Sequence, residues 1–399
     1  MLTPLDLGAV LSLTRASTRT YFDRHGVLRE APADTPATSH APATGAPLGL
    51  IVEGATTNLL LQSADLSDPV WTLTDAAITA TGMRQGIAMY RVAALGATGS
   101  TPRVQQPITP AVTRYTASFF ARPGSDGLIK AAIATGSGAE IAGVSGTLVL
   151  AYNHDAGQFT ALDPALTARA HVIGPDLFRI EVTFEVTAAP AGAAVWIHLM
   201  ARLGASDGAG DWGEFGGIQI EEGEAATSYI ITGTVSATRT AETASVDLGG
   251  VDLSAFTLVA VGRPGPRAQN GTNAAVFAAL RNSAEGLDHL SLAVAGGAGY
   301  FRRALLRNAA GVLDEITEPA VLIAPGERSA MAVRVASGQM RLVIDGMLVG
   351  DTAAPHPVPA LDTLDVGARA GGRHLNGTLE RLLIYPEALG IAEMQDLTV

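Results

Sequence analysis

Nine residues, Phe178-Arg-Ile-Glu-Val-Thr-Phe-Glu-Val186, alternate apolar and polar side chains without a break. A period of two sends successive side chains to opposite faces, so this run fits a half-buried strand and no helix. Phe178, Ile180, Val182, Phe184 and Val186 are expected in a core, with Arg179 and Glu181 on the other face. Val195, Ile197 and Leu199 repeat the pattern and leave Trp196 and His198 opposite. Tyr115-Thr-Ala-Ser-Phe-Phe-Ala-Arg122 and Gly217-Ile-Gln-Ile220 read as further strands. Short strands separated by turns, without intervening helices, point to a sandwich or jelly roll.

A second strand series follows a junction at Ala237-Thr-Arg-Thr-Ala-Glu-Thr-Ala244: Phe256–Val261, Ala275–Leu280, Leu290–Val294, Met331–Val335, Met340–Ile344 and Leu379–Ile384. Asp345-Gly346 between apolar stretches is a hairpin signal. One short helix is expected, at Ile391–Leu397. Before the first series, Leu11 to Phe22 reads as extended and Asp23-Arg-His-Gly26 as a turn. Pro32, Pro36, Pro42 and Pro47 then oppose regular structure. Such a lead buries little by itself and is expected to lie against a partner or a following domain.

Composition narrows the functional class. A length of 399 residues suits two or three domains. Charged residues make up only 16%, the net charge is −12, and Lys130 is the only lysine among 26 basic residues, so no basic stripe exists for nucleic acid. Arginine instead supplies planar, bidentate donors suited to sugar hydroxyls and carboxylates. Without cysteine, disulfides, thiolate nucleophiles and zinc–thiolate sites are excluded. No apolar run approaches the roughly 18 residues of a membrane span. Met1-Leu-Thr-Pro-Leu-Asp6 lacks the basic start of a signal peptide. Display outside a cell would therefore suit a particle assembled in the cytoplasm and released by lysis.

Several stretches resemble a known family. Arg15-Ala-Ser-Thr-Arg-Thr-Tyr-Phe-Asp23, Gly26-Val-Leu28 and Gly49-Leu-Ile-Val-Glu-Gly-Ala-Thr-Thr-Asn-Leu-Leu-Leu-Gln-Ser63, with Trp71 after them, resemble the N-terminal signature of phage and gene-transfer-agent fibre and head-spike proteins. Gly217-Ile-Gln-Ile-Glu-Glu-Gly223 and Ala226-Thr-Ser-Tyr-Ile230 look like the closing strand of that family's carbohydrate-binding-module-like jelly roll. Arg341-Leu-Val-Ile-Asp-Gly-Met-Leu-Val-Gly350, Leu364-Asp-Val-Gly367, Gly377-Thr-Leu-Glu-Arg-Leu-Leu-Ile-Tyr385 and Ala388-Leu389 resemble a concanavalin/laminin-G-like domain. The chain departs from the family at Ala37-Thr-Ser-His40, where an aromatic, charged cluster usually stands. The resemblance implies an all-β chain of two tandem β-sandwiches after an extended N-terminal segment. Residues 1–48 would attach to a capsid or tail protein, 49–240 form the jelly roll and 241–399 the concanavalin-like sandwich. It implies a homotrimeric, particle-borne adhesin for host surface polysaccharide.

Sugar binding by a sandwich needs flat aromatic faces and planar polar side chains. Trp196 and His198, with Arg179 and Glu181 on the corresponding face of the preceding strand and Arg122 beside them, form one candidate set; an ordinary solvated face or a subunit interface is the bland alternative. Trp212 in the acidic loop Asp207-Gly-Ala-Gly-Asp-Trp-Gly-Glu214 is another. Asp207, Asp211 and Glu214 would offer oxygen ligands to calcium, although Asp and Gly serve a plain turn equally well. In the second sandwich the candidates are Tyr300-Phe301-Arg302-Arg303, His289 and the polar loop carrying Arg369, Arg373, His374 and Asn376, against a merely solvated loop. Asn270-Gly-Thr and Asn376-Gly-Thr read as Asn-Gly turns.

Catalysis has little support. The eight histidines match no metal spacing, and no Gly-x-Ser-x-Gly elbow appears. Glu221 and Glu222 are adjacent on a strand, so they point to opposite faces and cannot flank one glycosidic bond. The expected function is glycan recognition without an enzymatic step. A purely structural spike protein and a capsule depolymerase are the alternatives.

Overall fold

The alternating run lies within one long strand, Leu177–Ala188, and its apolar residues are buried in the core of a first sandwich. The computed structural model describes residues 11–96, 99–204, 210–265, 274–285, 287–295, 301–308, 311–318, 323–337, 339–352, 360–369 and 372–399. One sheet of this sandwich runs in the order Gln158–Leu162, Thr147–Asn153, Leu128–Gly136, Ala194–Met200, Arg103–Ile108 and Thr72–Thr74; we call it the far sheet. The other runs Glu140–Ile141, Leu177–Ala188, Arg114–Arg122, Trp212–Glu222, Ile87–Ala94 and Ala76–Arg84, with Thr167–Gly174 also paired to Leu177–Ala188; we call it the cleft sheet. Pairing is antiparallel in both.

Between the sheets, Phe119, Phe215, Ile133, Ile180, Ile197 and Leu199 make one core. Each fully buried side chain of this kind is worth about 1.5–3 kcal/mol. Phe119 meets Phe215 edge-on with centroids 5.9 Å apart, and Tyr115 stacks on Phe184 at 5.8 Å. Trp71 is buried at the sandwich end, its indole N–H donating to the Gln62 carbonyl at 3.1 Å.

The second sandwich pairs Met347–Asp351, Gln339–Ile344, Ser329–Ala336, Phe256–Arg263, Gly377–Tyr385, Pro47–Val52 and Thr38–His40 in one sheet. Its other sheet runs Leu11–Thr14, Thr243–Asp247, Thr363–Val366, Ala274–Asn282, Leu287–Ala295, Phe301–Asn308 and Gly311–Thr317. Asp345 and Gly346 both hold positive φ, 44° and 77°, the backbone of a two-residue hairpin turn whose twist matches its strands. The helix Ile391–Leu397 seals a small satellite core through Met394. Among the described residues the fold is all-β apart from that helix.

The lead segment lies against a following domain, as expected of a segment that buries little by itself, but it does so as regular strands: Leu11–Thr14 pairs with Thr243–Asp247, and Thr38–His40 and Pro47–Val52 extend the opposite sheet beside Gly377–Tyr385. The four prolines flank these short strands or begin one, where no ladder N–H is needed. Gly49 makes the last pairing possible. Its φ is 102°, and a Cβ there would lie 2.1 Å from the Leu379 carbonyl oxygen.

A buried ion-pair network rivets the lead to both sandwiches. Arg15 pairs with Glu242, and Arg19 with both Glu242 and Glu53; none of the three arginine–carboxylate partners on the Glu242 side has any exposed side-chain surface. Arg239 approaches Glu53 at 3.2 Å and donates to the Gly54 carbonyl at 3.0 Å. Ser228 donates to Glu53 through both its N–H and its hydroxyl, at 3.0 and 2.7 Å. Asn58 amide N–H groups reach the Ile218 and Ile230 carbonyls. Buried charges are tolerable only when paired and hydrogen-bonded in this way. Much of the Arg-Ala-Ser-Thr-Arg and Glu-Gly-Ala-Thr-Thr-Asn signature therefore does structural work at the junction.

Candidate functional site

Away from the core, Leu177–Ala188 presents Arg179, Glu181 and Thr183. Antiparallel register puts Arg179 between Phe120 and His171, Glu181 between Ser118 and Arg169, and Thr183 between Thr116 and Thr167. On Thr167–Gly174 the small Ala168 and Ala170 pack towards the core, so Arg169 and His171 join the polar face. His171 Nε2 lies 3.4 Å from the Glu181 carboxylate. Arg179 donates from Nη2 to Ser118 Oγ at 2.9 Å, and its guanidinium sits 5.6 Å from the Phe120 ring centre. Its enclosed Nε has no hydrogen-bond partner among the described residues. Burial pulls the Arg179 guanidinium below the ordinary arginine value, while Glu221, Glu181 and Glu53 act in the opposite direction.

This face borders a trough where the two sandwiches and the lead segment meet. One cavity of about 300 Å³ is lined by Tyr21, Phe22, Phe120, Arg179, Ser228 and Thr378. A second, of about 450 Å³, is lined by Arg169, His171, Glu181, Arg263, Asn376 and Thr378. Leu48, Ala226, Gly377 and Thr378 line both, so the two adjoin. A third, of about 400 Å³, shares Arg169 and Glu181 and continues along the sheet to Arg114 and Glu224. The second-sandwich wall depends on close backbone packing: a Cβ on Gly377 would lie 2.0 Å from the Arg263 carbonyl oxygen. The trough thus offers guanidinium forks, a carboxylate–imidazole pair and an amide beside half-buried aromatic side chains. These are the planar donors and acceptors that engage vicinal hydroxyls.

The sequence named Arg179 and Glu181 in one candidate set and Asn376 in another, on different sandwiches; the fold brings all three to these adjoining cavities. The sequence missed Arg169, His171, Arg263 and Thr378. The alternation Ala168-Arg169-Ala170-His171 was a usable signal for two of them; nothing local marks Arg263 or Thr378.

Other expectations are corrected. Trp196 and His198 do not share a face with Arg179 and Glu181. Ala194–Met200 belongs to the far sheet and Leu177–Ala188 to the cleft sheet, because the turn between them crosses from one sheet to the other. Trp196 lies half-buried over Gly136, where a Cβ would come within 2.4 Å of the ring. His198 is 7% exposed, and burial, helped by the Arg103 charge, lowers its pKa to about 4. Arg122 is committed elsewhere, donating to Asp176 at 2.9 Å and to Glu214 at 2.9 Å.

Trp212 sits at the sandwich rim with the Arg91 guanidinium 4.2 Å above its ring. The calcium expectation finds no assembled site among the described residues. Asp211 pairs with Arg202 at 3.3 Å, Glu214 is wholly buried against Arg122 and Thr81, and Asp207 lies outside the described residues. The loop of Arg373, His374 and Asn376 is no solvated loop either. His374 is buried with Nε2 3.0 Å from the Glu242 carbonyl, and Asn376 Oδ1 accepts the Gly54 N–H at 2.9 Å. Arg373 holds φ at 55° and its carbonyl accepts from Val276. Arg302 is clamped by Glu318 and Asp345, Arg303 by Glu315, and His289 is buried against the Arg307 carbonyl. Tyr300 and Asn270 lie outside the described residues.

No family model matches the sequence, and no curated protein matches it. Solved structures similar to it include a heptameric pentraxin from Limulus polyphemus, at 17% identity and TM-score 0.31 over 37% of this chain and 70% of that one. A carbohydrate-binding module, CBM40, of the Ruminococcus gnavus IT-sialidase aligns at 17% identity and TM-score 0.31 over 37% of this chain and 84% of the module. Domain 4 of AbnA, an extracellular arabinanase from Geobacillus stearothermophilus solved with arabinotriose, aligns at 16% identity and TM-score 0.31, covering 45% of this chain and 83% of that domain.

Proposed function

We propose that this chain is a non-catalytic glycan-binding protein whose ligand lies in the trough between the cleft sheet and the second sandwich. The observation that carries this reading is the convergence of Arg169, His171, Arg179, Glu181, Arg263 and Asn376 on adjoining cavities. Three separated parts of the sequence supply them, and they leave a space large enough for one or two sugar rings. A glycan array probed with purified protein, followed by titration calorimetry, tests it. Glu181→Gln and His171→Ala are expected to weaken binding at least tenfold while Trp196→Ala leaves it unchanged; the reverse pattern would move the site to the far sheet.

In this reading the protein is carried on a phage-like particle, as spike or fibre, and its ligand is host surface polysaccharide. The low charge and the resemblance of its lead segment motivate that placement and a homotrimer. Microscopy of purified particles with a labelled antibody, and light scattering of the isolated chain at micromolar concentration, check the two points; a clean monomer would remove the trimer. The second reading, a purely structural spike protein, draws on the buried network joining lead and sandwiches. It is favoured if no glycan binds. Loss of viscosity from host capsule incubated with the protein would instead point to a depolymerase.

A further inference from the structure

The chain carries a net charge of −12, yet its trough is rich in unpaired cations. Arg15, Arg19, Arg239, Arg114 and Arg302 each have a carboxylate partner. Arg169, Arg179 and Arg263, all lining the two adjoining cavities, have none within ion-pair distance among the described residues. Arg179 spends one of its five donors, on the neutral Ser118 hydroxyl. Arg263 makes one long contact, 3.5 Å, to the Gly326 carbonyl. Its enclosed Nε and the Thr378 hydroxyl beside it have no hydrogen-bond partner among the described residues.

The carboxylates nearby are already engaged. Glu181 faces His171, and Glu53 is shared between Arg19 and Arg239. Glu221, Glu181 and Glu53 act on Arg179 through space, but among the described residues no carboxylate comes within ion-pair distance of any of the three guanidinium groups. A half-buried guanidinium without a counter-ion loses hydration and regains little. An incoming planar carboxylate would restore two parallel N–H···O bonds at once.

We infer that the trough selects acidic saccharides, with the carboxylate of a uronic- or sialic-type residue held by Arg179 and Arg263 and the chain continuing past Arg169. This deepens the glycan-binding reading and rests on it. The affinity of one site need only be modest, since several copies on one particle multiply it by roughly 10²–10⁴ where spacing allows joint contact.

The experiment uses the full chain and three probes, polygalacturonate, hyaluronan and poly-sialate, each beside its carboxyl-reduced form. At least one acidic probe is expected to bind, at least tenfold more tightly than its reduced form, with affinity falling as salt rises. Arg263→Gln and Arg169→Gln should each cost about tenfold with an unchanged melting temperature. Arg179→Gln should cost more, and if it unfolds the protein the other two variants carry the test. Equal binding of acidic and reduced forms, still lost in Arg263→Gln, would overturn the acidic preference and leave glycan binding standing. Acidic binding that none of the variants alters would place the anion elsewhere and overturn the inference. A glycan array without any bound sugar would sink both readings together.

Discussion

His198 shows how burial sets a side chain's chemistry. Its ordinary pKa of 6.5 falls to about 4 in the folded chain, so folding favours the neutral imidazole. The stability this contributes is full above pH 6.5 and is lost as pH falls through 4, a change of about 3 kcal/mol. Urea unfolding measured between pH 7 and 4 should show that slope, and His198→Gln should flatten it. Trp196 is its neighbour on the far-sheet face and packs on Gly136. Trp196→Ala should cost about 1 kcal/mol in the same assay, an exposed-face packing loss rather than a core collapse. Alternation alone told correctly that both side chains avoid the core. It could not tell which sheet they cover, because a turn of a few residues can either return a strand to its neighbour or carry it across the sandwich.

At the scale of elements, the lead segment is the main revision. Arg19 reaches Glu53 and Glu242 with no exposed side-chain surface of its own. Arg19→Ala would take one of two arginine partners from each of two buried carboxylates, leaving Glu242 to Arg15 and Glu53 to Arg239, and breaking a buried pair costs about 3–5 kcal/mol. A fall of that size in unfolding free energy, with the sandwiches keeping their strand content by circular dichroism, is the expected result. Removal of residues 1–48 should go further and expose the edges of both second-sandwich sheets, so the truncated protein is expected to aggregate. A soluble truncation with unchanged melting temperature would contradict the strand pairings of Leu11–Thr14 and Thr38–His40. The Asp345-Gly346 hairpin, by contrast, was readable directly, since two adjacent positive-φ residues leave few other turns.

For the whole molecule, the junction makes acid stability a shared property. Burial alone would raise the Glu53 pKa, but the charges of Arg239 and Arg19 and the Ser228 hydrogen bonds hold it at about 2. A depressed carboxylate stabilises the fold above its unfolded value near 4.5, and that stability drains away as pH falls towards 2, about 3 kcal/mol in all. Because Glu53 links the lead to Arg239 at the end of the first sandwich, calorimetry at neutral pH should record one cooperative transition. Below pH 4 two are expected, as the sandwiches uncouple; a single transition throughout would mean the junction contributes little to cooperativity.

By itself the sequence determined the all-β class, the inward faces of the long strands, the hairpin turn and the terminal helix. Each is local: a period of two, a pair of turn residues or a short amphipathic run is complete within a dozen positions. Only the tertiary structure decided that strands of the proline-rich lead join both sheets of the second sandwich, that Arg15, Arg19, Glu53, Arg239 and Glu242 neutralise one another, and that Arg169, Arg179 and Arg263 have no carboxylate within ion-pair distance among the described residues. Charge pairing acts over a few ångströms in space between residues as far apart as 15 and 242. No spacing along the chain encodes which arginine a fold will satisfy and which it will leave facing an open trough.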